Sequence, residues 1–324
     1  GPQFNQATLN GRSMPATQLS ATGAGLVTSR AFDMSNIAAE GVSGVSVYKS
    51  SQANITSGGV GSTIDLQTRK PMQSEGLTAS VGAKLLHDTT NRIGDDITPE
   101  LSGIVSWSND VWGLSVVASH QERSSGSTGA FSNGWNFVSN PYGGDTDPNI
   151  YPNGQTPDVI VANAPPIGTQ TNINPSIRYN RTDIERVRDN AQLTLQFRPT
   201  DNLEATLDYT YASQETDTKR NEFSLWFGGN TFPVSAVQWD VENSVATPLY
   251  YLAENEPNGF APRDINFGAQ GGSVENTLES LGLNIEWEVN DRLSAKLDVH
   301  NTTSESLPGG NGPGNWWNVG IGSQ

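Results

Sequence analysis

The stretch Leu203-Glu204-Ala205-Thr206-Leu207-Asp208-Tyr209-Thr210-Tyr211 decides the fold. Its odd positions are apolar or aromatic, and its even positions are polar or ionised. Successive side chains of a strand point to opposite faces, so this segment carries one greasy face and one charged face. The parity recurs in Leu77, Ala79, Val81, Ala83 and Leu85, and in Leu193, Leu195 and Phe197. It returns in Leu281, Leu283, Ile285, Trp287 and Val289, and again in Leu293, Ala295, Leu297 and Val299. Residues 100–108 and 111–122 are weaker members of the set. The reading is a mostly β chain of about seven antiparallel strands.

From Leu203 to Tyr211 a strand rises roughly 26 Å at about 3.3 Å per residue. Tilted by about 40°, it covers roughly 20 Å of an apolar band about 25 Å tall, a length that suits a transmembrane β-barrel. The connections alternate in length. Ser108-Asn109-Asp110, Pro199-Thr200-Asp201-Asn202 and Asn290-Asp291-Arg292 are tight turns. Segments 124–186 and 218–273 are rich in Gly, Pro, Asn and aromatics, lack a sustained period, and read as long loops. Short turns on one rim and long loops on the other is an outer-membrane layout. Trp107, Trp112, Phe197 and Trp287 lie near tight turns, with Tyr209 and Tyr211 toward the opposite end, as two interfacial belts require. Amphipathic antiparallel strands also build soluble sandwiches with one wet face, and that alternative stays open at this point.

Composition narrows the classes. The chain has 18 basic and 34 acidic residues and a net charge of −16, which argues against nucleic-acid binding. Apolar residues make up 34%, with 34 Gly and 18 Pro, fitting a loop-rich β protein or a partly disordered one. No run of about 18 apolar residues exists, so no transmembrane helix is expected. Cysteine is absent, which removes disulfides, thiolate metal sites and cysteine nucleophiles. The first residue is Gly1 and no charged-then-apolar leader opens the sequence.

The first seventy residues read differently, as a compact mixed α/β unit. Gln6 to Arg12 is a strand running into a turn at Asn10-Gly11. Ser35 is placed to cap a short helix over Asn36–Glu40, ended by Gly41. Val45, Val47 and Lys49 alternate as one strand, and Ile64, Leu66 and Thr68 as another. The blocks Ala7-Thr8-Leu9-Asn10-Gly11-Arg12, Phe32-Asp33, Val42 to Ser50, Gly58-Gly59-Val60-Gly61-Ser62-Thr63-Ile64-Asp65-Leu66 and Thr68-Arg69-Lys70-Pro71 follow in order. In order and spacing they resemble the C-terminal half of the plug of TonB-dependent receptors. The resemblance implies a plug segment over 1–71 and the first part of a barrel over 72–324. It also implies a closed wall of about 22 strands around a plugged lumen, in the outer membrane of a Gram-negative bacterium. The coupling box that engages TonB is expected upstream of Gly1. The resemblance further implies active import of a large, scarce nutrient, with outer-membrane lipid and TonB as partners.

Candidate chemistry is sparse. Gly58-Gly59-Val60-Gly61 lacks the Lys-Ser/Thr of a phosphate cradle and reads as a tight turn. Glu286 and Glu288 stand on one strand face, whereas glycoside hydrolysis needs carboxylates across a bound sugar. His87, His120 and His300 are isolated, and Asp145 to Asn149 lacks the glycine and distal glutamate of an EF-hand. No catalytic residue, metal or cofactor is therefore expected, and no enzyme activity. Arg12, Arg30, Arg69 and Lys70 are expected to face a carboxylate-rich wall of Glu204, Asp208, Glu286, Glu288 and Asp298. Arg69, Lys70, Glu286 and Glu288 are singled out as plug–barrel contacts. Expected substrate contacts are Asn10 and Arg12 on the plug loop and the aromatics Trp135, Tyr142, Trp226 and Trp239, whose flat faces suit sugar rings. A glycan or oligosaccharide is thus the favoured ligand. A ferric siderophore or cobalamin is the alternative within the class, although Arg178, Arg181, Arg186, Arg220 and Arg263 are few. A soluble carbohydrate-binding sandwich and a passive porin are the rivals outside it.

Overall fold

The computed structural model describes residues 4–15, 17–19, 26–28, 32, 34, 37, 39–50, 52–53, 55–56, 60–132, 136–139, 170–173, 176–226, 234–242, 245–253, 265–309 and 321–322. The chain forms two compact units, one of 1–126, 183–219 and 271–316, the other of 127–182, 220–270 and 317–324.

The N-terminal part of the first unit contains β1 (Asn5–Leu9), β2 (Arg12–Ser13), β3 (Thr17–Leu19), β4 (Leu26–Thr28), β5 (Val42–Tyr48) and β6 (Ser62–Thr68). Four of these make a mixed sheet in the order β2-β1-β6-β5, with β1 and β6 parallel, while β3 and β4 pair separately. Between β1 and β2 the chain reverses over Asn10 and Gly11, whose φ angles of 53° and 80° are both left-handed. Two such residues in succession are what a tight primed hairpin turn demands, and Asn-Gly supplies them with least strain. Of the helix expected over 36–40, the described part is a single 3-10 turn, Ala39–Gly41, while Ser35 and Asn36 lie outside the described residues.

The remaining strands are β7 (Gly76–His87), β8 (Ile97–Ser108), β9 (Trp112–Ser132), β10 (Asn136–Ser139), β11 (Gln170–Ile173) and β12 (Ser176–Thr200). They continue with β13 (Leu203–Trp226), β14 (Val234–Glu242), β15 (Val245–Ala253), β16 (Ile265–Asn290), β17 (Leu293–Pro308) and β18 (Ile321–Gly322). Seven form one sheet, the wall, in the order β17-β16-β13-β12-β9-β8-β7, with β18 paired off β16. Its described pairings, β7 with β8, β8 with β9 and β16 with β17, are antiparallel. In the second unit β10, β11, β15 and β14 make a further small sheet.

Much of what reads as long loop in the sequence is strand. The wall strands reach into both segments, β12 beginning at Ser176 and β13 ending at Trp226. Apolar residues there are too few and too interrupted for hydrophobic alternation to mark the strands. Burial alternates over 218–225, with Thr218, Glu222 and Ser224 buried and Phe223 exposed, whereas over 176–186 it slips, Ser176, Asn180 and Asp183 being buried and Ile177 and Tyr179 exposed.

Parity governs the wall in the first unit, and it inverts the usual arrangement of a soluble sheet. Gln192, Thr194, Gln196, Thr206, Asp208 and Thr210 are buried, while Leu193 and Leu207 are about two-fifths exposed, at 42% and 39%. Leu195 and Ile285 are half-buried. The uncharged outward run has one length on three strands. From Trp112 it passes Leu114, Val116 and Ala118 to His120; from Phe197 it passes Leu195, Leu193 and Ala191 to Asp189; from Trp287 it passes Ile285, Leu283 and Leu281 to Glu279. Each run starts beside a tight turn. Trp112 and Phe197 stack there with ring centres 4.3 Å apart, and Asn109 closes its turn by accepting hydrogen bonds from the Val111 and Trp112 N–H groups. The buried apolar core lies on the opposite face, where Leu9, Met14, Ile37 and Leu66 of the N-terminal part meet the inward Ala212 and Leu278.

Candidate functional site

The turn between β1 and β2 delivers Arg12 to the wall. Its guanidinium donates from Nη1 to both carboxylate oxygens of Asp208, at 2.8 and 2.7 Å. From Nε and Nη2 it donates to the two oxygens of Asp298, at 2.8 and 3.0 Å. The planar fork of arginine matches carboxylate geometry, and here one guanidinium grips carboxylates from two wall strands, β13 and β17. The side chains of Arg12 and Asp208 are 3% and 5% exposed. Burial works against the charge on Arg12, but its hydrogen bonds to Asp298 and Asp208 and their negative charge outweigh that cost. The guanidinium is held above its ordinary pKa.

Neighbouring groups fix this clasp from both sides. Asn10 donates to Asp208 and to the Thr68 hydroxyl, and accepts from the Thr68 N–H. Asp65 of β6 takes hydrogen bonds from the Thr8 hydroxyl and the Gly11 N–H, both at 2.7 Å, so the turn is tied to its own sheet. Asn284 donates to Asp298 from the wall side. Between them Gly282 of β16 leaves the space that the guanidinium fills, because a Cβ there would overlap Arg12 directly. Beside the clasp lies a polar cavity of about 370 Å³, whose lining includes Lys70, Glu286, Lys296, Asn284 and Thr194. Lys296 donates to Glu286 at 2.6 Å. Opposite charges thus interleave along the boundary between the N-terminal sheet and the wall.

The sequence-derived sites fall unevenly. Asn10 and Arg12 are brought together with Asp208 and Asp298. Arg12 is buried between its two wall partners and also borders the polar cavity. Lys70 and Glu286 line one cavity. Arg69 is half-buried and makes no ion pair among the described residues. Glu288 stands at the turn rim, where its backbone N–H and C=O bond Asn202 of the wall. Trp135 and Tyr142 lie outside the described residues, as do Arg30 and Asp145 to Asn149. Trp226 ends β13 and Trp239 lies within β14, with neither side chain among those described. Sequence reasoning missed Gly282, Asn284 and Lys296. A bare glycine on the polar parity of an otherwise regular strand is the signal that marks a close approach.

No protein-family model matches the sequence, and no curated protein matches it. Among solved structures, the chain is similar to the siderophore receptor PirA from Acinetobacter baumannii, at 12% identity and a TM-score of 0.30, over 90% of this chain and 52% of that one. The chain thus spans about half the length of that receptor.

Proposed function

We propose that this chain is part of an outer-membrane importer in which the wall lies in lipid and the N-terminal sheet stops its lumen. The observation that carries the reading is the wall's inverted parity: an uncharged outward band, of one length on β9, β12 and β16, over an inward face of buried polar groups that includes Asp208, the partner of Arg12. A soluble sandwich buries its apolar parity; this wall buries its polar one. The constant run from Trp112 to His120, repeated on β12 and β16, spans roughly 20 Å at the tilt usual for such barrels. No described helix is long and apolar enough to cross a membrane.

On this reading TonB supplies the work that loosens the stopper, and no covalent step acts on the substrate. The ligand class favoured by the sequence is a glycan, on the strength of Trp135, Tyr142, Trp226 and Trp239. An anionic chelate is the second reading. It gains from Arg178 and Arg220, which the strands place on the buried, polar parity of β12 and β13 beside Glu222, in strands and not in loops. Uptake assays with a labelled oligosaccharide and a labelled ferric siderophore test both readings, in cells with and without TonB. The expected result is surface binding in both strains and accumulation only where TonB is present. Accumulation that persists without TonB contradicts active import and indicates a passive pore.

A further inference from the structure

The polar cavity beside the clasp holds two groups that docking of the N-terminal sheet leaves unused. Thr206 of β13 is 5% exposed, and its hydroxyl has no hydrogen-bond partner among the described residues. Lys70 enters the lining from the N-terminal part and is half-buried; its ammonium makes no hydrogen bond and no ion pair among the described residues. Buried polar groups are seldom left without partners, and each exception asks for one. The cavity lies toward the tight turns, because Glu286 and Lys296 face each other across β16 and β17 close to Asn290, and Thr206 stands near the turn that opens β13. Its volume of about 370 Å³ is at the small end of small-molecule sites.

The charges on the lining decide what can enter. Three basic side chains meet four carboxylates, and all of them except Lys70 already hold hydrogen bonds. An anion would meet the surplus of carboxylates, and a cation would meet Lys70. A neutral molecule carrying many hydroxyls meets neither objection, since each hydroxyl both donates and accepts. The lining offers both roles to it. Lys70 donates, and the Thr206 hydroxyl does either. Asn284 gives its amide nitrogen to Asp298 and keeps its oxygen to accept, and Glu286 takes Lys296 on Oε1 and keeps Oε2. Tyr48 adds an aromatic ring to the same lining.

We infer that this cavity binds one ring of a neutral sugar, with Lys70 donating, Asn284 and Glu286 accepting, and the Thr206 hydroxyl completing the set. The inference rests on the import reading above, and gives the glycan a waypoint between the N-terminal sheet and the wall, on the tight-turn side.

Saturation-transfer NMR on the detergent-extracted protein tests it, with glucose, galactose, mannose and xylose as probes and glucose 6-phosphate as the charged control. At least one neutral sugar is expected to bind in the millimolar range, and glucose 6-phosphate about tenfold more weakly than glucose. Thr206→Val and Lys70→Met remove groups that bond nothing among the described residues, so each is expected to leave the fold intact and to weaken the bound sugar about threefold to tenfold, the loss of one hydrogen bond. Binding that neither substitution weakens overturns the site. So does failure of all four sugars to bind, and so does equal binding of glucose and glucose 6-phosphate by the unaltered protein, a comparison that stands even where a variant fails to fold. The uptake assay separates this failure from that of the importer: TonB-dependent accumulation of the labelled oligosaccharide without cavity binding removes the site alone, whereas accumulation without TonB removes active import.

Discussion

One guanidinium shared by two carboxylates is an arrangement whose worth depends on burial. Arg12 and Asp208 are almost wholly removed from solvent, so removing either leaves a charge without its partner in a poorly hydrated place. Arg12→Met is therefore expected to destabilise the docked N-terminal sheet by about 3–5 kcal/mol, read as a lower urea midpoint for its release from the wall or as faster proteolysis near residue 12. Gly282 supplies a sharper test of the same geometry. Gly282→Ala is expected to displace the guanidinium and cost a similar amount, because the new methyl occupies its place. The double variant with Arg12→Met is expected to be no less stable than Arg12→Met alone. Additive losses would show that Gly282 matters for the strand and not for the clasp.

At the level of the element, the wall strands were legible because their two faces meet different surroundings, an exposed apolar parity and a buried polar one. Leu203 to Tyr211 could be placed from its letters alone, and so could the turns at Asn109 and Asn290, whose side chains hydrogen-bond the backbone just beyond. Beyond the band that contrast fades. Residues 176–186 and 218–226 are strand with no greasy parity, and no local signal separates them from loop. Within the candidate site the charged partners could be assigned to the right faces, since parity fixes direction. Which cation meets which carboxylate could not, because that depends on how a turn 196 residues away in sequence docks. Gly282 carries a local signal, a bare glycine on a polar parity, but that Arg12 is what fills its space depends on the same docking. The band has a testable depth profile. Leu207→Arg, at mid-height, is expected to cost about 2–4 kcal/mol of folding into vesicles, against about 0–1 for Leu293→Arg beside its turn. Equal costs at both positions would argue against a bilayer.

For the whole molecule, the proposed function joins three features of the structure: an inward face of buried polar groups, an exposed apolar outer band, and an N-terminal sheet held to the wall by Arg12, Asp208 and Asp298. Among the described residues β7 and β17 each pair on one side only along the wall. Unpaired edges beside exposed Leu77, Val81 and Leu297 favour association in water. The chain expressed alone is expected to need detergent or lipid to stay monodisperse, measured by light scattering on dilution of the detergent. The account stands most directly on what surrounds Leu195, Leu207 and Ile285. Because the chain has no native cysteine, single cysteines at these positions can carry a nitroxide whose collisions with oxygen and with a water-soluble nickel chelate are compared in reconstituted vesicles. The account predicts frequent oxygen and rare nickel collisions at all three; rare collisions with both reagents, the mark of a closed protein interior, would contradict it.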